Sequence, residues 1–291
     1  MSSYLWIALV AVYGICKGTR EIFKKFAMKQ SSVMETLFIY VALSFVIVLP
    51  YAGQAFSLEN WNYMYLIVIK SFVIFIAWIC SFRALSKMPV SLYGVLDLSR
   101  ILFSTLYGIF LVGETIGYMH IIGLSLVSAG LLLLKFKPFS KNKSDKEKVD
   151  IKTIFIAFSG CALTALSGAL DKILMRKGDL TSNQLQFWYM LFLVIFYALY
   201  IIFTKTEINL KSALKNKWIY LMSITLVIGD KALFIANNDP NCTVTLMTLI
   251  KQISCIVVIL GGKFIFKEKR ILYKLFCACV IIAGIVVAVL Q

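Results

Sequence analysis

The sequence predicts an all-α membrane protein, ten transmembrane helices arranged as a 5+5 inverted repeat. Three observations predict it. The chain of 291 residues is 60% hydrophobic, with mean hydropathy +0.87, where soluble domains average roughly 45–50% apolar residues. Its apolar residues gather into ten runs close to the length of a bilayer crossing, about 20 residues for a hydrocarbon core of about 30 Å. A Lys-rich stretch at 135–152 divides those runs five and five. Lipid leaves no water to satisfy backbone groups, so only helices or a closed barrel can cross it. The runs are continuous rather than alternating, which argues against a barrel.

The elements follow in order. The first span, 5–23, has an apolar core that resembles a signal peptide. It has no basic region before that core and no small-residue cleavage site, so it is expected to be a retained helix. The second, 33–49, stops before Pro50, and the fourth, 90–111, starts after Pro89; the third, 63–82, lies between them. The fifth, 118–134, runs into the Lys-rich stretch with Pro138. Spans six to ten fall at 154–175, 184–203, 219–236, 244–264 and 271–290, with Pro240 between the eighth and ninth. All four prolines therefore lie at or outside helix ends, where a missing N–H costs little. The expected organisation is a first five-helix unit at 1–134, a cytoplasmic loop at 135–152 and a second unit at 153–291.

The two halves repeat. Aligning Glu114 with Glu268 brings Ala129-Gly130 onto Ala283-Gly284 without a gap, an offset of 154 residues. An odd number of spans per half forces opposite orientations, the inverted repeat of many secondary transporters. Lys and Arg set the orientation. Lys24, Lys25, Lys29, Arg83, Lys87, the central Lys-rich stretch, Lys205, Lys211, Lys215, Lys217, Lys263, Lys267, Lys269 and Arg270 fall in odd-numbered connections. Even-numbered ones hold little beyond Arg176 and Lys177. The positive-inside rule then puts the odd loops in the cytoplasm and both termini outside, as a multi-pass protein of the plasma or inner membrane. The net charge of +16 reflects this topology rather than a nucleic-acid partner, and the Lys-rich stretch reads as a solvated loop.

Cys16, Cys80, Cys161, Cys242, Cys255, Cys277 and Cys279 are scattered without metal-ligand spacing and read as small buried hydrophobes. His120 is the single histidine, so a histidine-centred metal or catalytic site has little support, and no cofactor is expected.

The chain resembles a known family. VGE at Glu114, KE at Glu268, ALDKIL at 169–174, the stretch from GDKALF to NDP at 229–240, and LGGKFIFKE followed by AGIVV are similar to EamA-type transporters of the drug/metabolite transporter superfamily. The second half resembles the family best. The resemblance implies a central cavity lined by spans 1, 3, 4, 6, 8 and 9, with spans 5 and 10 as scaffold. It implies alternating-access transport of a small metabolite such as an amino acid, nucleobase or amine. Many members are thought to keep both termini in the cytoplasm, and the charge distribution here points the other way.

The charges inside the runs carry the functional reading. An ionised side chain at the centre of a membrane helix costs about 2.5–3.5 kcal/mol on insertion scales, and such residues are functional by default. Asp97 and Arg100 are three apart and can pair on one face. The offset of 154 carries Asp97 onto Lys251 and Arg100 onto Ser254. Asp97 and Lys251, with Arg100 and Gln252 beside them, are expected to meet in a polar substrate site between spans four and nine. A lone acid there would suit a cation; acid plus base would suit a zwitterion. The alternative is an ion pair that fixes register, with substrate elsewhere.

Asp230 lies mid-span in the eighth helix as a substrate, cation or proton site. Asp171 either lines the cavity or pairs with Lys172 or Arg176 at its helix end. Asp97, Asp230 and Asp171 are the candidates for coupling to protons or ions. Lys70, central in span three, either lines the cavity or pairs with an acid such as Asp230. The apolar run before Lys17 is too short to cross alone, so Lys17, Arg20 and Glu21 either face the cavity from a tilted helix or mark its cytoplasmic end. Arg20 and Glu21 are expected at the cavity mouth and Lys24 and Lys25 at the helix end, with Glu21 four residues from Lys25 and able to pair with it. Trp78 and Tyr93 are candidates for a cation–π surface, or else packing. Glu35 is expected near an interface, and Glu114 and Glu268 to cap the helices that follow them.

No HExxH, GxSxG or nucleotide-binding loop occurs, so catalysis and direct ATP use lack a motif. The expected function is a secondary-active transporter of a small polar, zwitterionic or cationic metabolite. The alternatives are a lipid or lipid-linked-sugar flippase of the same fold and a membrane-embedded enzyme. The expected partners are the solute, the bilayer and coupling protons or ions, with the protein monomeric or homodimeric.

Overall fold

A computed structural model describes residues 5–57, 61–107, 110–111, 118–135, 149–178, 180–237, 250–268 and 271–289. Among the described residues the chain is all-helical, with no strand. The helices are α1 (Leu5–Ala27), α2 (Val33–Val48), α3 (Ala52–Ala55), α4 (Met64–Lys87), α5 (Val90–Asp97), α6 (Arg100–Tyr107), α7 (Tyr118–Lys135), α8 (Ile151–Lys177), α9 (Ser182–Thr204), α10 (Leu210–Leu214), α11 (Lys217–Asn237), α12 (Ile253–Phe264) and α13 (Ile271–Val289).

Among the described residues, five helical stretches are long and apolar enough to cross a bilayer: Val33–Ala55, Trp61–Lys87, Ile151–Met175, Ser182–Thr204 and Lys217–Ala236. They correspond to expected spans two, three, six, seven and eight. Ile121–Gly130, Ile253–Phe264 and Ile271–Gly284 are shorter apolar helices. α1 falls short for the reason visible in its sequence, since Lys17, Arg20, Glu21, Lys24 and Lys25 crowd its second half. Residues 244–249 of expected span nine, Glu114, Cys242, Pro138, Pro240 and most of the Lys-rich loop lie outside the described residues. The flanks carry apolar side chains turned outward, among them Phe72, Ile202, Phe203 and Leu272, as lipid contact requires.

Local chemistry places the helix ends. Ser32 caps α2 in a reciprocal box with Glu35, and Glu35 also accepts the Asn209 N–H at 2.9 Å, so Glu35 sits at a helix end as expected. Thr181 and Gln184 form the same box at the start of α9. Lys25 donates to the carbonyls of Leu85 and Met88 at the end of α4, where the helix dipole favours a cation.

Expected span four is broken. α5 ends at Asp97, Leu98 and Ser99 form a turn, and α6 begins at Arg100. Tightened bonds from Leu98 N–H to Val95 and from Ser99 N–H to Leu96 mark the break. Span nine shows a turn at the matching place: residues 250 and 251 are helical, Gln252 is a turn, and α12 starts at Ile253. Gln252 is the offset partner of Leu98.

The helices pack in matched pairs. α1 packs on α11 and α4 on α8, α1 also lies along α12 and α6 along α8, and α2 contacts α11 while α4 contacts α9. α7 and α13 form the largest remaining interface. There a Cβ on Gly130 would lie 2.5 Å from Ile281 Cγ1, and one on Gly284 would lie 2.8 Å from the Gly123 carbonyl. The two glycines that anchor the sequence repeat therefore allow one antiparallel crossing. α1 and α12 run parallel, with Gly14 beside Ile253 and Gly18 beside Val257, whereas α5 and α12 are antiparallel, with Gly94 beside Val258 and Gly262 beside Ser91.

One expected cap falls elsewhere. Glu268 does not cap the helix that follows it. It accepts N–H bonds from Val90 at 2.7 Å and Ser91 at 3.2 Å, bonds the Ser91 hydroxyl, and faces Lys274 at 3.4 Å. Glu268 lies beside the start of the antiparallel α5 and satisfies its first N–H groups, while residues 269–270, just before α13, lie outside the described residues. Of the cysteines, Cys161, Cys255 and Cys277 are buried as expected, Cys16 and Cys80 partly so, and Cys279 is exposed.

Candidate functional site

Apart from Glu35 and the Glu268–Lys274 pair, the buried and half-buried charges described lie on α1, α4, α5, α6, α8 and α11, with Lys251 just before α12. Asp97 is held by two cations. Lys17 Nζ lies 2.6 Å from one carboxylate oxygen, and Arg100 bonds the other. Both Lys17 and Asp97 side chains are 12% exposed. Cys161 of α8 points its thiol at the same carboxylate from 3.9 Å. The Asp97–Arg100 pair expected from their spacing is present. Asp97 does not take Lys251 as its direct partner, because Lys17 reaches in from α1 and occupies the free oxygen.

Lys251 lies over the Tyr13 ring at 5.5 Å and within electrostatic reach of Asp171 on α8. Gln252 forms the turn before α12. The repeat accounts for this placement. The offset that carries Asp97 to Lys251 also carries Lys17 to Asp171, so one half offers base and acid where the other offers acid and base.

Lys70 is 3% exposed, and its ammonium lies 2.8 Å from Asp171 Oδ1. The contact is a charge contact, since Asp171 Oδ1 has no aligned hydrogen bond. Lys70 therefore pairs with Asp171 and not with Asp230. The alternative partners for Asp171, the Lys172 and Arg176 side chains, lie outside the described residues. Lys70 also stands 3.6 Å above the Tyr189 ring, and the Tyr189 hydroxyl donates to Asp230 at 2.6 Å. Asp171, Lys70, Tyr189 and Asp230 thus form one chain across α8, α4, α9 and α11.

Arg20 and Glu21 are 8% and 7% exposed, deeper than a cavity mouth. Glu21 pairs at 2.6 Å with Lys24 instead of Lys25, which is engaged at the end of α4. Trp78 packs at 5.5 Å against Tyr40, and Tyr93 is 2% exposed within the apolar core. Rings that do meet ammonium groups of the helices include Tyr189, Tyr13, Tyr51 under Lys231 at 4.3 Å and Phe82 under Lys24 at 4.8 Å.

Sequence reasoning singled out Lys17 without its partner Asp97, and it missed Tyr189. A signal for Lys17 exists, since Tyr13, Lys17, Arg20 and Lys24 recur at four- and three-residue spacing and share one helix face. Tyr189 had none, being one aromatic among many near the start of a span.

Among the described residues no group of three or more His, Cys, Asp or Glu is placed to hold a metal. A helical bundle that buries paired charges between apolar, outward-greasy helices defines a multi-pass membrane protein. Comparison then gives a family likeness: residues 4–136, a little under half of the chain, match the EamA-like transporter family. The match lies in the first half, whereas the sequence motifs pointed most strongly to the second. None of the curated proteins compared with the chain matches it. A solved structure titled "Crystal structure of protein" is 14% identical with a TM-score of 0.61, covering 97% of this chain and 96% of that one. At that identity the likeness is one of fold alone.

Proposed function

We propose that the protein is a secondary-active transporter that moves a small polar metabolite, zwitterionic or cationic, by alternating access between two inverted five-helix halves. The observation that carries this reading is the pair of interruptions at repeat-equivalent places, Leu98–Ser99 and Gln252, each directly after a charged residue, Asp97 or Lys251. Broken helices at mid-membrane supply unsatisfied backbone groups and helix ends to a solute, and they recur at the repeat interface of transporters. The matched packing of α1 with α11 and α4 with α8 supports the same repeat.

In this reading Asp97, Arg100, Lys251 and Gln252 surround the breaks, and Lys70, Asp171 and Asp230 form the second wall of a central site. Tyr93 and Trp78 support it from behind, as packing. Asp97, Asp171 and Asp230 are the proposed coupling acids; Asp230 accepts from the Tyr189 hydroxyl and, among the described residues, has no cation within ion-pair distance. The odd-numbered loops face the cytoplasm and both termini lie outside. Purified protein in liposomes should exchange labelled solute against unlabelled solute, tested over amino acids, amines and nucleosides. Asp97→Asn should slow that exchange at least tenfold. A well-folded Asp97→Asn protein with unchanged exchange kinetics would remove the central site from the mechanism.

A further inference from the structure

Among the described residues, Arg20 and Asp230 stand close together without an ion-pair partner. Asp97 is held by Lys17 and Arg100, Asp171 by Lys70, and Glu21 by Lys24. Arg20 is 8% exposed and is met by the neutral Tyr40 hydroxyl, but among the described residues no acid lies within ion-pair distance of it, and its Nε has no hydrogen-bond partner. Asp230 has the opposite lack: its carboxylate accepts from the neutral Tyr189 hydroxyl, and no described cation lies within ion-pair distance. The two lie within each other's field, with Tyr13 and Tyr40 beside Arg20.

The backbone brings them together. A Cβ on Gly229 would stand 3.2 Å from Cys16 Cβ and 3.6 Å from the Tyr13 ring. α11 therefore touches α1 one residue before Asp230 and one turn before Arg20. An unpaired ionised group away from water is costly, and buried charges are ordinarily paired. A cation and an acid near each other but not in contact leave a gap that one molecule carrying both signs would close.

We infer that Arg20 and Asp230 form the binding site for a zwitterionic ligand, with its carboxylate on the Arg20 guanidinium and its ammonium on Asp230 beside the Tyr189 hydroxyl. This deepens the transporter reading and rests on it. It assigns the two charged ends of the solute to spans one and eight of the central site, with the Asp97 cluster at the helix breaks completing that site from spans four and nine. The planar guanidinium offers a fork of donors that matches a carboxylate.

The test uses the purified full chain and thermal unfolding with matched probes: each of a set of α-amino acids, its N-acetyl form (anion only) and its methyl ester (cation only). At least one zwitterion should raise the melting temperature while its two singly charged derivatives do not. Arg20→Gln and Asp230→Asn should each weaken that effect at least tenfold. Without ligand, both variants should melt at or above the wild-type temperature, because each removes an uncompensated charge. A structural ion pair would shift it downward. Arg20→Lys keeps the charge without the fork and serves if Arg20→Gln does not fold; it too should weaken zwitterion binding. Equal stabilisation by the N-acetyl or ester probes, or zwitterion binding indifferent to the variants, overturns the assignment. Liposome exchange separates the two readings. Exchange that persists unchanged in both variants leaves the transporter and removes this site, whereas a protein that neither binds nor exchanges any probe removes both.

Discussion

Asp97 shows what a single buried charge demands. Its two carboxylate oxygens are divided between Lys17 and Arg100, so substitution by Asn leaves two cations facing a neutral amide. Breaking a buried ion pair from one side costs about 3–5 kcal/mol. Asp97→Asn should therefore lower the melting temperature in detergent as well as slow exchange. Lys17→Met added to Asp97→Asn should cost less than the two single changes together, because the second removes a charge that the first has stranded. An additive double-mutant cycle would mean that the two side chains do not interact. Arg20 and Asp230 predict the opposite sign for the ligand-free protein. That contrast separates a charge satisfied by its neighbours from one that awaits a ligand.

At the scale of elements, the ends and crossings of helices carry the prediction. Glu268 satisfies the first N–H groups of α5 from another helix pair. Glu268→Ala should cost about 1–2 kcal/mol, the range of a lost N-cap, read as a lower melting temperature. Ser91→Ala should cost less, because both backbone bonds remain. The α7–α13 crossing has no room for a side chain, since the Gly123 carbonyl and Leu126 fill the space beside Gly284. Gly284→Val forces those backbones apart and should cost at least the about 1–3 kcal/mol of ordinary overpacking. Gly53, with nothing within 4 Å of an added Cβ, is the control that should tolerate alanine. Equal behaviour of Gly284 and Gly53 variants would contradict the crossing.

For the whole molecule the prediction is orientation. The Lys-rich stretch 135–152 and the other odd-numbered connections carry most of the Lys and Arg outside the helices, and such loops stay on the cytoplasmic side. A cysteine introduced as Ser144→Cys, in a chain whose native cysteines are replaced, should react with a membrane-impermeant maleimide only after cells are permeabilised. Labelling in intact cells would reverse the topology. The packing directions fit the alternation that this topology needs: α1 and α12 are parallel, and α5 and α12 antiparallel.

The sequence by itself determined the membrane class, the positions of most described helices and the Asp97–Arg100 pair. Apolar run length, proline placement and three-residue spacing are local properties that water and lipid read directly. It also marked Lys70, Asp171 and Asp230 as charges needing an explanation, since a charge in an apolar run is costly wherever the chain goes. Only the tertiary structure decided which charge meets which. Lys17 reached Asp97 before Lys251 could, Lys70 chose Asp171 over Asp230, and Glu268 capped α5 rather than its own successor. Each partner lies far along the chain, and the choice among several cations for one carboxylate depends on angstrom-scale helix crossings. Those crossings are set by where glycines let backbones approach, and no periodicity in the sequence records the result.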